Sequence, residues 1–313
     1  MQTTSVLLPP GHWPQLTEFA RTADELGFHT LWVVEDCYLE GGVAQAATAL
    51  AVTSRIGVGV GILPSASRHP AFAAMELATL ANMYPGRVVA GLGHGMPAWM
   101  RQLGLWRESP LTLLGESLQA TRELLLGRTV AMSGRYVTLR DVRLASPPSR
   151  PPKVLAGVRG PRSLRVAARH GDGVILAEPV TPEYLASTRA HLGDGFDGVV
   201  VAYAPTAVDA EPARARRRAR RALRWVGEPD WAPHIAPLPF AADLAELRRS
   251  CGTPEEFADR LADEWVEQLA IAGDADTARA RIGQLQRAGA DEVVLVPTGT
   301  DPLAELASLA SAL

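Results

Sequence analysis

Several short stretches of the sequence join glycine to groups that bind anions or move protons. In Gly157-Val158-Arg159-Gly160-Pro161, two turn-forming glycines precede a proline suited to a first helical position. Backbone N–H groups and a helix N-terminus would then face the same point, an arrangement suited to phosphate, and Arg159 or Arg162 could add charge-assisted bonds. Gly91-Leu92-Gly93-His94-Gly95 would let a flat ring lie against the backbone, beside an imidazole that titrates near neutrality. Adjacent Glu35 and Asp36 cannot face the same way in an extended strand, so one enters a site and the other a partner network, with Arg68 as a candidate partner. Glu178 is a further acid. Beside these stand plainer readings: a Gly-Pro helix entry, a histidine closing a turn, a salt bridge. His12, His69 and His170 read as structural or surface residues, no His/Cys/Asp/Glu spacing resembles a metal site, and no Gly-x-Ser-x-Gly elbow occurs.

The elements that would position these groups follow from periodicity. Short β-branched runs at 5–8, 30–34, 56–63, 87–92, 153–156, 173–176, 199–203 and 292–296 alternate with amphipathic segments, the pattern of parallel strands joined by crossover helices. The third run carries Gly57, Gly59 and Gly61, which invites close backbone approach. A doubly wound sheet would carry a Gly-x-Gly-x-x-Gly turn after its first strand, where this chain has Pro9-Pro10-Gly11-His12. The expected fold is therefore α/β, a (β/α)8 TIM barrel forming one domain over residues 1–313. A β-hairpin insertion is expected at about 128–150, before strand five, and a helical insertion at about 204–272, after strand seven. Active sites of such barrels lie at the C-terminal strand ends. Those ends gather Gly11-His12, Glu35-Asp36-Cys37, Leu63-Pro64-Ser65, Gly93-His94-Gly95, residues 157–161, Glu178, Tyr203 and Pro297-Thr298-Gly299.

Composition narrows the partners. At 313 residues, 47% apolar and a net charge of −3, the chain can bury a full core and offers no basic field for nucleic acid or an anionic membrane. Cys37 and Cys251 are too few for a disulfide framework, the N-terminus lacks a basic leader pattern, and no apolar run is long enough to span a bilayer. A cytoplasmic protein is expected. Arg214, Arg216, Arg217, Arg218, Arg220, Arg221 and Arg224 form a solvated helix face. Alternatively, Arg214, Arg217, Arg218, Arg221 and Arg224 share a side and clamp an acidic cofactor tail or a partner protein.

Three local patterns carry a resemblance to a known family: Leu31-Trp-Val-Val-Glu-Asp36, residues 61–70 (GILPSASRHP) and residues 85–95 (PGRVVAGLGHG). With residues 151–164 and Gly171-Asp-Gly-Val174, the chain resembles the luciferase-like monooxygenase superfamily, in particular its coenzyme F420-dependent, methylenetetrahydromethanopterin reductase-like branch. The resemblance implies coenzyme F420, with FMN as the alternative, at the strand C-termini. It implies a bulge at Gly61, Ile62 and Leu63 behind the ring, with a cis Gly61–Ile62 peptide, Asp36 at the ring's polar edge, and Gly157, Val158, Arg159 and Gly160 on the phosphate. Gly93 and Gly95 would line the ring site, and His94 and Glu178 would be the proton donors. Sugar-phosphate dehydrogenases of the branch have an Asp-His pair and a Glu where this chain holds Glu35-Asp36 and Met96, so their acid–base pair does not transfer. The resulting expectation is an F420-dependent oxidoreductase acting on a small organic substrate, a homodimer. Its rivals are a reduced-FMN monooxygenase of the same fold, and a non-catalytic barrel that binds a partner through the Arg-rich segment with its mouth blocked by Trp99, Trp106 or Trp225.

Overall fold

The computed structural model describes residues 2–313. Its strands, in chain order, are β1 (Thr3–Leu7), β2 (Thr30–Val33), β3 (Gly57–Pro64), β4 (Val88–Gly93), the pair β5 (Val130–Ser133) and β6 (Thr138–Val142), then β7 (Lys153–Gly157), β8 (Gly173–Leu176), β9 (Val199–Val208), β10 (Ile271–Gly273) and β11 (Glu292–Pro297). Eight of them close a parallel ring in the order β9, β11, β1, β2, β3, β4, β7, β8 and back to β9. This is the expected (β/α)8 TIM barrel. β5 and β6 form the expected antiparallel hairpin between β4 and β7.

The crossover helices follow local chemistry. Helix Leu16–Leu26 buries Leu16, Phe19, Ala20 and Ala23 along one face and stops at Gly27, whose φ of 87° a side chain would resist. Helix Pro161–His170 starts on its proline and presents Ser163, Leu164 and Ala167 inward. A short helix, Pro97–Gln102, also opens just after Gly95-Met96.

The barrel interior is filled by Leu7, Trp32, Leu155, Ile175, Val201, Tyr203 and Val294. This changes the meaning of the glycines. A Cβ on Gly59 would lie 2.5 Å from the Trp32 ring, and one on Gly61 would collide with the Tyr203 hydroxyl. Cβ atoms on Gly91, Gly93 and Gly157 would all press on Ile62. The close approach inferred for these glycines is made inside the barrel by the chain's own large side chains. We expect Gly59→Ala to lower stability by roughly 1–3 kcal/mol through overpacking against Trp32, as measured by urea unfolding. A loss below about 0.5 kcal/mol would contradict this packing.

Ile62 reaches the interior because β3 is bulged. Val60 pairs with Ala90 and Leu63 with Leu92, so Gly61 and Ile62 stand opposite the single residue Gly91. The Gly61–Ile62 peptide is cis, as the resemblance implied, and Cys37–Tyr38 and Glu178–Pro179 are cis as well.

One boundary is corrected. The helical insertion expected at about 204–272 begins later, because β9 runs on through Pro205 to Val208 and β10 pairs with Thr206–Val208. Thr206 and Ala207 are fully buried, and this burial outweighs the missing proline donor. Beyond Val208 the chain does form helices, which build their own core from Ala215, Ala219, Leu223, Phe257 and Val266.

Candidate active site

At the C-terminal end of the ring, just past β2, Glu35 and Asp36 take separate surroundings. Glu35 turns outward into an ion pair, its Oε1 2.6 Å from Arg68 Nη1, and its Oε2 accepts the Gly42 N–H at 2.9 Å. Asp36 makes no such bond; burial and the neighbouring Glu40 charge push its carboxyl above the usual range.

A second acid lies within reach of the Asp36 charge. Glu178, two residues past β8, keeps partial exposure although protein crowds its carboxyl. Burial raises its pKa, the Asp36 charge raises it further, and Arg159 works in the opposite direction. Tyr203 lies beneath, within reach of the Glu178 charge and pushed well above the ordinary phenol range by burial. The structure thus brings Asp36, Arg159, Glu178 and Tyr203 to one mouth.

The 157–160 loop borders the same opening. Gly160 is the N-cap of helix Pro161–His170 and no side chain caps it, while the space where a Cβ of Gly160 would stand is open. The first-turn N–H groups of that helix therefore remain available to an anion. Arg162 is exposed beside them. Arg159 stacks over Trp231 at 4.9 Å and donates to the Asp230 carbonyl at 3.3 Å, and the Arg159 carbonyl accepts the Tyr184 hydroxyl at 2.8 Å.

Trp231, His234 and Tyr184 were not foreseen. Trp231 Nε1 donates to the Glu178 carbonyl at 3.1 Å and His234 Nδ1 to the Pro179 carbonyl at 3.1 Å, while the His234 ring stacks on Tyr184 at 4.4 Å. Burial pulls the His234 pKa down to about 3, so the ring is neutral and its Nδ1 carries the donated proton. The helical insertion thereby clamps the turn bearing Glu178. The only sequence signal for this is a pair of aromatic rings amid prolines, which names no partner.

His94 occupies a different place. It lines a small cavity with Ser65, Met100, Leu105, Trp106 and Pro110, where burial lowers its pKa and the Pro110 carbonyl partly offsets the fall. Gly95 sits in the left-handed region at φ 69°, packed on Met100 and Pro64.

The Arg-rich helix, Pro212–Ala222, is mostly paired within the chain. Arg214 meets Asp209 at 2.7 Å, Arg216 meets Asp263 and Glu267 at 3.3 Å, Arg218 donates to the Val208 carbonyl at 2.9 Å, Arg220 meets Asp263, and Arg224 lies 3.8 Å from Glu255. Of the five arginines assigned to a clamp, three are so engaged; Arg217 and Arg221 stay exposed. Trp106 is covered by Arg101, and Trp225 is 43% exposed beside Arg224. Among the described residues no cluster of three or more His, Cys, Asp or Glu could hold a metal ion, and no helix is long and apolar enough to cross a membrane.

The fold is thus a parallel eight-stranded barrel whose rim carries an uncapped helix N-terminus beside two half-buried acids. The chain belongs to the luciferase-like monooxygenase family, whose pattern matches residues 2–292. It is 29% identical over 312 residues to the 5,10-methylenetetrahydromethanopterin reductase of Archaeoglobus fulgidus, covering 94% of this chain and 93% of that one. It is 33% identical over 195 residues, 58% of each chain, to the F420-dependent glucose-6-phosphate dehydrogenase of Microbacterium testaceum. The solved structure of the coenzyme F420-dependent tetrahydromethanopterin reductase from Methanopyrus kandleri superposes with a TM-score of 0.84 over 100% of this chain and 98% of that one, at 21% identity.

Proposed function

We propose that the protein is a coenzyme F420-dependent oxidoreductase acting on a small organic molecule, with the cofactor's ring over the β3 bulge and its phosphate at residues 157–160. The observation that carries this reading is the convergence of two half-buried acids with raised pKa values and an uncapped helix N-terminus at one barrel mouth. The open space above Gly160 fits a phosphate, and the relatives named for F420 favour that cofactor over FMN.

When bound, the reduced deazaflavin supplies a hydride. The chain's own groups do the rest. Burial, and to a lesser degree the Asp36 charge, favour the acid form of the Glu178 carboxyl, the form that donates a proton to the substrate atom that becomes electron-rich. Trp231 and His234 hold the 178–179 turn so that this proton stays aimed into the mouth. Asp36 would hold the ring's polar edge, and Arg159 would supply positive charge for the phosphate. His94 has the chemistry of a second donor, from its own cavity beside β4. One barrel domain in the cytoplasm, paired as a homodimer, completes the reading. Phe72, Met75 and Met83, exposed on one face of helix Pro70–Met83, support the pairing, and two free cysteines suit a reducing compartment.

Titrating the purified protein with each cofactor and following fluorescence quenching tests the proposal. Coenzyme F420 should bind at least tenfold more tightly than FMN. Tight FMN binding without F420 binding would overturn it in favour of a flavin monooxygenase.

A further inference from the structure

Tyr203 starts on β9, four strands from β3 in either direction round the ring, so its side chain crosses the full barrel. Its ring meets Trp32 of β2 edge-on, with centroids 5.8 Å apart at 63°. Its hydroxyl ends against Gly61 at the bulge, where no Cβ could be added. Tyr203 thus lies in the barrel interior directly beneath the bulge. It is 4% exposed, and its hydroxyl has no hydrogen-bond partner.

That orphan is unusual beside its neighbours. Trp32, the other large ring in the interior, sends its Nε1–H to Glu292 Oε1 at 2.7 Å. A phenol buried among Leu155, Ile175, Val201 and Val294 could be a phenylalanine at no cost to packing, and an unpaired buried hydroxyl destabilises the fold. The oxygen has a place next to the bulge and no job within the apoprotein.

We infer that the Tyr203 hydroxyl is a donor held for the bound cofactor: it gives its hydrogen bond to an acceptor atom, a carbonyl oxygen or an unprotonated nitrogen, that the ring presents at the bulge. The ring's position rests on the function proposed above; the orphaned hydroxyl does not. The donor would help orient the ring against Gly61 and Ile62. It also explains the glycine at position 61, since any larger residue would displace the hydroxyl from this point.

Tyr203→Phe removes one oxygen and leaves the ring. Two readouts should then move in opposite directions. The thermal midpoint of the cofactor-free protein should rise by about 1–3 °C, because an unsatisfied polar group is lost. The dissociation constant for coenzyme F420, from fluorescence quenching, should rise about five- to tenfold, the scale of one hydrogen bond. Unchanged affinity would overturn the assignment whatever the midpoint does. A lowered midpoint would overturn it too, showing that the hydroxyl is bonded inside the apoprotein, for example by a buried water. Wild-type protein that fails to bind coenzyme F420 would reject the functional reading, whereas wild-type binding matched by the variant would reject only the role of Tyr203.

Discussion

Glu178→Gln should lower kcat at neutral pH by about a hundredfold or more while leaving cofactor affinity within about twofold, the scale expected when a positioned general acid is removed. The amide keeps the shape of the side chain and its place on the turn held by Trp231 and His234, so the proton is what is lost. In the wild type, kcat should fall as pH rises through the raised pKa of Glu178, because only the acid form can donate; in the variant that limb should disappear. Stability gives an independent reading with a definite sign. The folded state holds the Glu178 proton more tightly than the unfolded chain does. The wild type is therefore progressively destabilised as pH climbs from the unfolded carboxyl value through the raised folded one. Glutamine has no proton to lose, so at neutral pH the variant should unfold at higher urea than the wild type, and the difference should close in acid. An unchanged kcat with an unchanged pH profile would remove Glu178 from the chemistry.

The barrel was legible because its strands are buried on both faces and read as short β-branched runs bounded by glycine and proline. Runs such as Gly173–Leu176 and Glu292–Val296 need no tertiary information to be recognised. The pairing of Glu35 with Arg68 was legible from the charges alone, although both acids lie past the end of β2, where alternation no longer applies. What escaped depends on distant contacts. Trp231 lies 53 residues from Glu178, and their bond exists only because the insertion folds back across the mouth. The arginines of helix Pro212–Ala222 and the following Arg224 looked free because most of their carboxylate partners, Asp263, Glu267 and Glu255, arrive from helices whose packing no short-range pattern reveals. The glycines were correctly read as points of close approach, but what approaches them from across the ring is Trp32, Tyr203 or Ile62.

The adjacent acids Glu35 and Asp36 offer the sharpest separation of fold from function, because neighbouring substitutions should fail in opposite ways. Glu35→Ala should cost roughly 2–4 kcal/mol of stability in urea unfolding, since it leaves a largely buried guanidinium without its main partner and the Gly42 N–H without an acceptor. Glu76, 3.4 Å from Arg68 Nε, compensates only in part. Asp36→Asn should cost no stability, and at neutral pH should raise it. Its carboxyl sits where burial and Glu40 disfavour the charge, so the folded form loses stability as pH rises through the raised Asp36 pKa, and the amide escapes that loss. Its penalty should fall on function instead, with kcat/KM for hydride transfer reduced about tenfold or more as one charge-assisted contact at the ring's polar edge is weakened. Should Asp36→Asn prove as destabilising as Glu35→Ala, with kcat/KM intact in the surviving folded fraction, Asp36 would be a second structural acid and the mouth would keep Glu178 as its one acid aimed at the ligand.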